Sequence, residues 1–323
     1  MNVLHITHHD GCKYAVDFMC QKLGHQITTQ HANWTYNISK TIADTIWKSH
    51  KDYFNLFDCI ITSDTAPLSR IFIREEYTKK LIIWVCNRFD YADKATADDF
   101  PDAGFYNTFK QACNKQNTVV RSYTKFEHEY AKKYRRIEWC SDTLKPCIEI
   151  INRTSSNTFH DGQIKLDTFF VTRYHNDNIL LNLKAKCSSL GINAYCGTYD
   201  GPADLIGIRG IIHIPYAWSN LALFENWSIG NVYFIPSKKF LLELRKGGNF
   251  FWSPPFDEDL LESSEWYLPE HRHLFVYFDS FEQLRTLSKN DALIAEKRKL
   301  ILDFSAKHTT KTLNQWKIIL DNI

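Results

Sequence analysis

The sequence predicts two tandem α/β domains, each built on a doubly wound parallel sheet, followed by a C-terminal helical arm. Three observations predict this class. Short β-branched and aromatic runs alternate with helical patterns through the first half of the 323-residue chain. The cadence restarts after NRTSSNTFHDGQ (152–163), a polar stretch without periodicity that reads as a linker. The strand-like runs are apolar throughout, as strands covered on both faces should be.

Taken in order, the first half offers strands at NVLHIT (2–7), DCIIT (58–62), LIIWVC (81–86) and NTVV (117–120). Helical patterns lie between and after them in KYAVDFMCQKLG, SKTIADTIWKSH, APLSRIFIREEYTKK and AGFYNTFKQACNK. The second half offers DTFFVT (167–172), INAYC (192–196), GIIHI (210–214) and NVYFI (231–235). NILLNLKAKCSSLG, SNLALFENW and KKFLLELRK are its helices. The final stretch from NDALIAEK is helical to the end, with a break expected near His308. Domains are therefore expected at 1–151 and 164–300, with the arm at 301–323.

Composition is globular, with 44% hydrophobic and 24% charged residues and no low-complexity tract or repeat. A net charge of +2 gives no case for a nucleic-acid partner or for membrane binding through overall charge. The nine cysteines are scattered and form no C-x-x-C pair, so neither a zinc module nor a disulfide framework is indicated. Cys59, Cys86 and Cys196 sit in apolar strand runs as core thiols, which favours a reducing compartment. MNVLHITHHDG enters a strand at once, without the charged and apolar regions of a signal peptide. The longest apolar runs are too short to cross a bilayer. The expected location is cytoplasmic, where the sequons at Asn33 and Asn226 stay unmodified.

Ligands of doubly wound sheets bind outside the carboxyl ends of the strands, so the residues there are the candidates. His8-His9-Asp10-Gly11 follows the first strand and Asn87-Arg88-Phe89-Asp90 the third. Arg173-Tyr174-His175 follows the first strand of the second half, and GTYDG (197–201) the second. Pro215-Tyr216-Ala217-Trp218-Ser219 follows the third and opens a helix. A histidine or carboxylate in the first loop suits removal of a proton from an acceptor. Arg173 and a helix N-terminus suit a phosphate.

The helix opened by Ser219 or Asn220 carries Glu225 among apolar neighbours and stops at Gly230, before a strand ending at Pro236. A carboxylate there needs a partner or a solvated cleft, because an unpaired buried charge is costly. Each candidate has a structural alternative: a capped turn for His8–Asp10, an acid paired with Arg173, backbone N–H groups bonded to Glu225. Asn87, Arg88 and Asp90 read first as loop structure. No G-x-G-x-x-G, P-loop or G-x-S-x-G motif is present. His271-Arg-His273 and Asp257-Glu-Asp259 lack a second ligand cluster nearby in sequence and read as structural or solvated.

On these residues the chain resembles the two-domain GT-B glycosyltransferases. It is most similar to the group whose C-terminal domain carries a helix-borne Glu, then Gly, then a strand ending in Pro: here Glu225, Gly230 and VYFIPS. The resemblance implies two Rossmann-like domains facing a cleft, with the last helix crossing back to the first domain. It implies a nucleotide-sugar donor on the second domain and a glycan, glycoprotein or glycolipid acceptor on the first. Glu225 then matches the position that holds the ribose hydroxyls, and Arg173 the basic position at the diphosphate, with Tyr216 and Ser219 beside them. His8, His9 or Asp10 falls in the loop of the general base, and Gly11, Asn87, Arg88 and Asp90 on the acceptor side.

Two departures stand out. Retaining members often carry a second Glu eight residues before the first, where this chain has Ala217. The lysine that often follows the basic position is also missing, Lys184 being the nearest. Without that Glu, stereochemistry stays open, with a lean to inversion. No cofactor or metal is implied. A sugar-nucleotide epimerase of the same fold and a non-catalytic nucleotide-sugar-binding module remain alternatives. The basic stretch AEKRKLILDFSAKH suits either peripheral membrane contact or the solvated face of a helix.

Overall fold

The computed structural model describes residues 1–32, 38–90, 103–148, 167–175, 181–248, 251–253 and 255–321. The expected linker at 152–163 and the Asn33 sequon lie outside them. The chain forms two compact units. One comprises Met1–Ile148, Pro254–Ser264 and Thr309–Ile323, the other Glu149–Ser253 and Glu265–His308.

The first unit holds a five-stranded parallel sheet of β1 (Asn2–Thr7), β2 (Gln26–His31), β3 (Cys59–Asp64), β4 (Lys80–Val85) and β5 (Thr118–Ser122), in the order β2-β1-β3-β4-β5. Its helices are α1 (Asp10–Lys22), α2 (Lys40–Phe54), α3 (Ala103–Ala112) and α4 (Lys125–Arg135). β3 is buried along its whole length and β4 beyond Lys80, which accounts for the apolar start of the one (Cys59–Ile61) and the unbroken apolar run of the other. β2 was not expected. QITTQH is a half-exposed edge strand whose polar side chains hide the strand signal. APLSRIFIREEYTKK yields only a 3₁₀ turn at Ala66–Ile71, where every side chain is buried and no polar face exists for a surface helix.

The second unit repeats the plan with β6 (Phe169–Val171), β7 (Ala194–Tyr195), β8 (Gly210–Ile212), β9 (Tyr233–Pro236) and β10 (Val276–Phe278), ordered β10-β9-β8-β6-β7. Its helices are α5 (Leu183–Ser189), α6 (Leu221–Ser228), α7 (Lys238–Lys246) and α8 (Phe281–Leu287). These strands are shorter than the apolar runs that announce them, and β10 is a further strand not expected from sequence. Both sheets are Rossmann-like. Chain order reverses between β1 and β3 in the first and between β6 and β8 in the second, which makes these gaps the switch points.

α9 (Asp291–Asp321) runs without the expected break at His308. It contains no Gly or Pro to interrupt it, and the His308 ring stacks on Phe304 at 5.4 Å and on Phe224 at 4.8 Å. Residues to His308 belong to the second unit and those from Thr309 to the first. In the first unit Trp316 packs edge-on against Trp84 of β4 at 5.6 Å, and the Lys80 ammonium donates to the Leu320 carbonyl near the helix end.

Candidate functional site

A cleft of about 300 Å³ opens at the β6/β8 switch point of the second unit. It is lined by Thr172, Arg173 and Tyr174 after β6, by Gly197, Thr198 and Tyr199 after β7, and by Tyr216, Asn220 and Ala222 after β8. Tyr174 and Tyr216 stack at 3.9 Å, and the Arg173 guanidinium lies 5.6 Å from the Tyr174 ring. Arg173 is exposed and forms no ion pair or hydrogen bond among the described residues. Gly197 lies close under the Tyr195 side chain: a Cβ there would lie 2.1 Å from the Tyr195 hydroxyl and would require that ring to shift.

α6 begins at the same cleft. Its cap is Asn220, whose side-chain oxygen accepts from Ala222 N at 2.9 Å, and not Ser219, which neither caps the helix nor lines the cleft. The first-turn N–H groups and the helix dipole give this end a positive character. One turn beyond Ala222, on the same helix face, stands Glu225. Its carboxylate is half-buried and has no hydrogen bond or ion pair among the described residues, and burial raises its pKa above the ordinary range. The negative charge of Glu225 adds to burial in raising the pKa of the cleft residue Tyr199. None of the structural partners considered for Arg173 or Glu225 is found among the described residues.

In the first unit, the loop after β1 treats its three candidates differently. His8 Nδ1 lies 2.8 Å from the Ala32 carbonyl and must donate to it, so the neutral ring carries its lone pair on Nε2. Burial holds the His8 pKa below its usual value. His9 is the N-cap of α1, its Nδ1 accepting from Gly11 N at 3.0 Å, which leaves the proton on Nε2. Asp10 is exposed in the first turn, 3.7 Å from His31. With its proton on Nδ1, His8 has its lone pair on Nε2, a buried atom, whereas the lone pair of His9 is used in the cap of α1.

Two loops flank this one. Asp64 ends β3 with φ 87°, is 1% exposed, and has Oδ2 without a hydrogen-bond partner among the described residues. Burial pushes its pKa up to about 7, against a hydrogen bond from Asn87 and the charge of Arg88. Asn87 Oδ1 in turn accepts from Arg88 Nε at 2.9 Å. Arg88 and Phe89 follow with φ 48° and 52°, in the left-handed region. Asp90 was expected on the acceptor side. It is fully buried, accepts from Arg135 Nε at 2.5 Å and from the Tyr106 hydroxyl at 2.8 Å, and belongs to the core.

The acidic cluster reads as structural. Asp257 accepts from Lys133 at 2.9 Å and from the Tyr134 hydroxyl, while Asp259 lies 3.1 Å from Lys133. His271 pairs with buried Glu265 at 3.0 Å. Among the described residues no three His, Cys, Asp or Glu are grouped to hold a metal, and no helix is long and apolar enough to cross a membrane.

Sequence reasoning did not single out Thr172, His213 or Asp64; it named Tyr199 only within GTYDG and Asn220 only as a possible opener of the helix. Asn220 had the one usable signal, a cap-type residue directly before an apolar helix.

No family profile matches the chain, and no curated protein matches it. Among solved structures it is similar to UGT89C1 of Arabidopsis thaliana, complexed there with UDP-L-rhamnose, at a TM-score of 0.46 and 8% identity over 99% of this chain and 98% of that one. It is similar also to a D-2-hydroxyisocaproate dehydrogenase (TM-score 0.20, 12% identity, 98% and 97% covered) and to the apo D-lactate dehydrogenase of Escherichia coli (0.20, 12%, 96% and 98%). Likenesses of this size carry no argument about activity.

Proposed function

We propose that the chain is a GT-B glycosyltransferase that moves a sugar from a nucleoside-diphosphate sugar to a hydroxyl of a glycan, glycoprotein or glycolipid acceptor. One observation carries the reading. At the switch point of the second unit, an exposed arginine and the start of a helix converge on one cleft, and a half-buried carboxylate without a partner among the described residues follows one turn along that helix. The cationic end suits a diphosphate, and the carboxylate suits the paired hydroxyls of a ribose. Stacked Tyr174 and Tyr216 supply an aromatic wall.

The chemistry follows from where charge develops. His8 Nε2 takes the proton of the acceptor hydroxyl, and the acceptor oxygen bonds to the anomeric carbon. The bond from that carbon to the diphosphate oxygen breaks, and its electron pair leaves on the diphosphate. Arg173 and the positive end of the α6 dipole stabilise that charge, so the scheme needs no metal. A base opposite the leaving group gives inversion. In this reading the second unit binds the donor, and the first binds the acceptor near His8, Gly11, Asn87 and Arg88.

The test is turnover with a panel of UDP- and GDP-sugars and glycan acceptors, each with Mg²⁺ and with a chelator. The proposal expects acceptor-dependent release of one nucleoside diphosphate, insensitive to the chelator. Conversion of the donor sugar without any acceptor would establish the epimerase instead.

A further inference from the structure

Three aromatic residues stand exposed among the described residues: Tyr14, Tyr174 and Phe251. Two of them belong to segments tied to one another in the second unit. His175 Nε2 lies 3.1 Å from the Phe251 carbonyl and must donate to it. Two residues on, Ser253 N donates to the Tyr216 carbonyl at 2.7 Å. Phe251–Ser253 is therefore fastened at one end to the turn after β6 and at the other to the loop after β8. These are the two loops whose Tyr174 and Tyr216 stack in the cleft. Between the two bonds Trp252 is buried, edge-on to Trp218 at 5.1 Å. Phe251 is 39% exposed, and its ring has no other ring or cation against it among the described residues.

A lone exposed apolar residue is ordinary, but one continuous with a ligand cleft marks a contact surface. The order of groups in a nucleoside-diphosphate sugar indicates its occupant. With the diphosphate at Arg173 and the ribose at Glu225, the nucleoside leads along α6, where the charge of Glu225 reaches Tyr199. The sugar hangs on the other phosphate and leaves the diphosphate at its opposite end. Phe251 is fastened to His175, two residues from Arg173, and no hydrogen bond or ring contact joins it to α6 or Tyr199 among the described residues. The Tyr174 ring is already engaged by Tyr216 and by the Arg173 guanidinium, which leaves Phe251 as the open ring. Its face carries the negative lobe of a quadrupole. A pyranose offers that face a flat array of C–H bonds with partial positive charge, whereas a phosphate offers it only repulsion.

We propose, resting on the donor-site reading above, that the exposed Phe251 ring stacks on the pyranose ring of the nucleotide-sugar donor. The bonds to His175 and Tyr216 hold its backbone at the rim of the cleft.

Calorimetric titration of the full chain with UDP, GDP, UDP-glucose, UDP-N-acetylglucosamine, GDP-mannose and GDP-fucose tests this. Phe251→Ala should weaken the tightest-bound of the nucleotide sugars about three- to tenfold, the scale of a lost aromatic contact. The matching diphosphate should stay within about twofold of its wild-type affinity. Phe251→Tyr keeps the ring and should bind the nucleotide sugar as wild type does. Phe251→Leu is apolar without a ring face and should fall with Ala. The side chain is exposed and uncrowded, so all three variants should melt within about 1 °C of wild type. Equal losses for diphosphate and nucleotide sugar, no loss for either, or full rescue by Leu overturns the proposal and leaves the donor site standing. So does a wild type that binds a diphosphate but none of the nucleotide sugars. Failure of the wild type to bind either diphosphate overturns both.

Discussion

The rings of Tyr174 and Tyr216 lie 3.9 Å apart and 24° from parallel, joining the loop after β6 to the loop after β8. They wall the cleft at the point where strand order reverses, the place at which open α/β sheets bind ligands. Tyr174 is 44% exposed, so the fold does not depend on it. Tyr174→Ala should shift the melting temperature by no more than about 1 °C. It should weaken a bound nucleoside diphosphate about three- to tenfold, the scale of a lost aromatic contact. Calorimetry and a thermal melt read the two effects separately.

His8 and His9 should part company when each is replaced. His8→Gln removes the basic nitrogen and should lower turnover about 10²- to 10⁴-fold while nucleotide affinity stays unchanged. His9→Asn keeps a side chain able to cap α1 and should leave turnover within a few-fold of wild type. Steady-state kinetics on the matched acceptor and donor check both.

Asp64 sets a stability–pH profile of unusual sign. Its folded pKa of about 7 lies above the ordinary value of 3.8, so the folded state holds this proton more tightly than the unfolded chain. Between about pH 4 and pH 7 the folded state therefore binds more protons. The stability this group contributes falls as pH rises through that window and levels off above it. Glu127, buried in the capping box of α4 and raised to about 7, adds a change of the same sign. Asp64→Asn removes one of the two titrations, and Asn tolerates the left-handed backbone there. The variant should show a flatter profile in urea unfolding between pH 4.5 and 8.5. At the alkaline end it should be the more stable protein, by an amount on the order of a few kcal/mol. Parallel profiles for the two proteins would rule out the raised pKa.

The Asp90–Arg135 pair should behave as structure. Asp90→Ala leaves a guanidinium buried without its counter-charge and should destabilise the first unit by about 3–5 kcal/mol. Replacing both members with Leu and Met should recover much of that loss. Urea midpoints across the double-mutant cycle measure the coupling.

What the sequence revealed and what it hid follow from the same physics. β1, β3 and β4 were legible because strands covered on both faces carry runs of β-branched and other apolar residues, as in Val3-Leu4, Cys59–Ile61 and Leu81–Val85. β2 was not, since QITTQH lies at an edge and carries polar side chains. Arg173 and Glu225 were conspicuous as charges at strand ends or among apolar neighbours, which pointed to the cleft region of the second unit. Its finer features lay in pairings between distant segments. His213 is an unremarked member of the apolar run GIIHI until the β6–β8 register sets it beside Thr172. Asp64 reads as part of a Ser-Asp-Thr turn, and only its left-handed backbone and burial distinguish it. Asp90 sits four residues from Cys86 at the end of a strand, where position alone suggests a ligand; its buried partner Arg135 comes from α4, 45 residues on.

The central claim is that the cleft holding Arg173 and the start of α6 binds a nucleoside diphosphate, with Glu225 on its ribose. Thermal shift on the purified chain with UDP, GDP and CMP, each with Mg²⁺ and with a chelator, tests it most directly. At ~100 times its Kd a ligand adds about 2.7 kcal/mol, a melting shift of roughly 2–4 °C for units of this size. The account predicts such a shift with one nucleoside diphosphate, unchanged by the chelator and lost in Glu225→Ala. No shift with any nucleotide, or a shift that survives Glu225→Ala at full size, would contradict it.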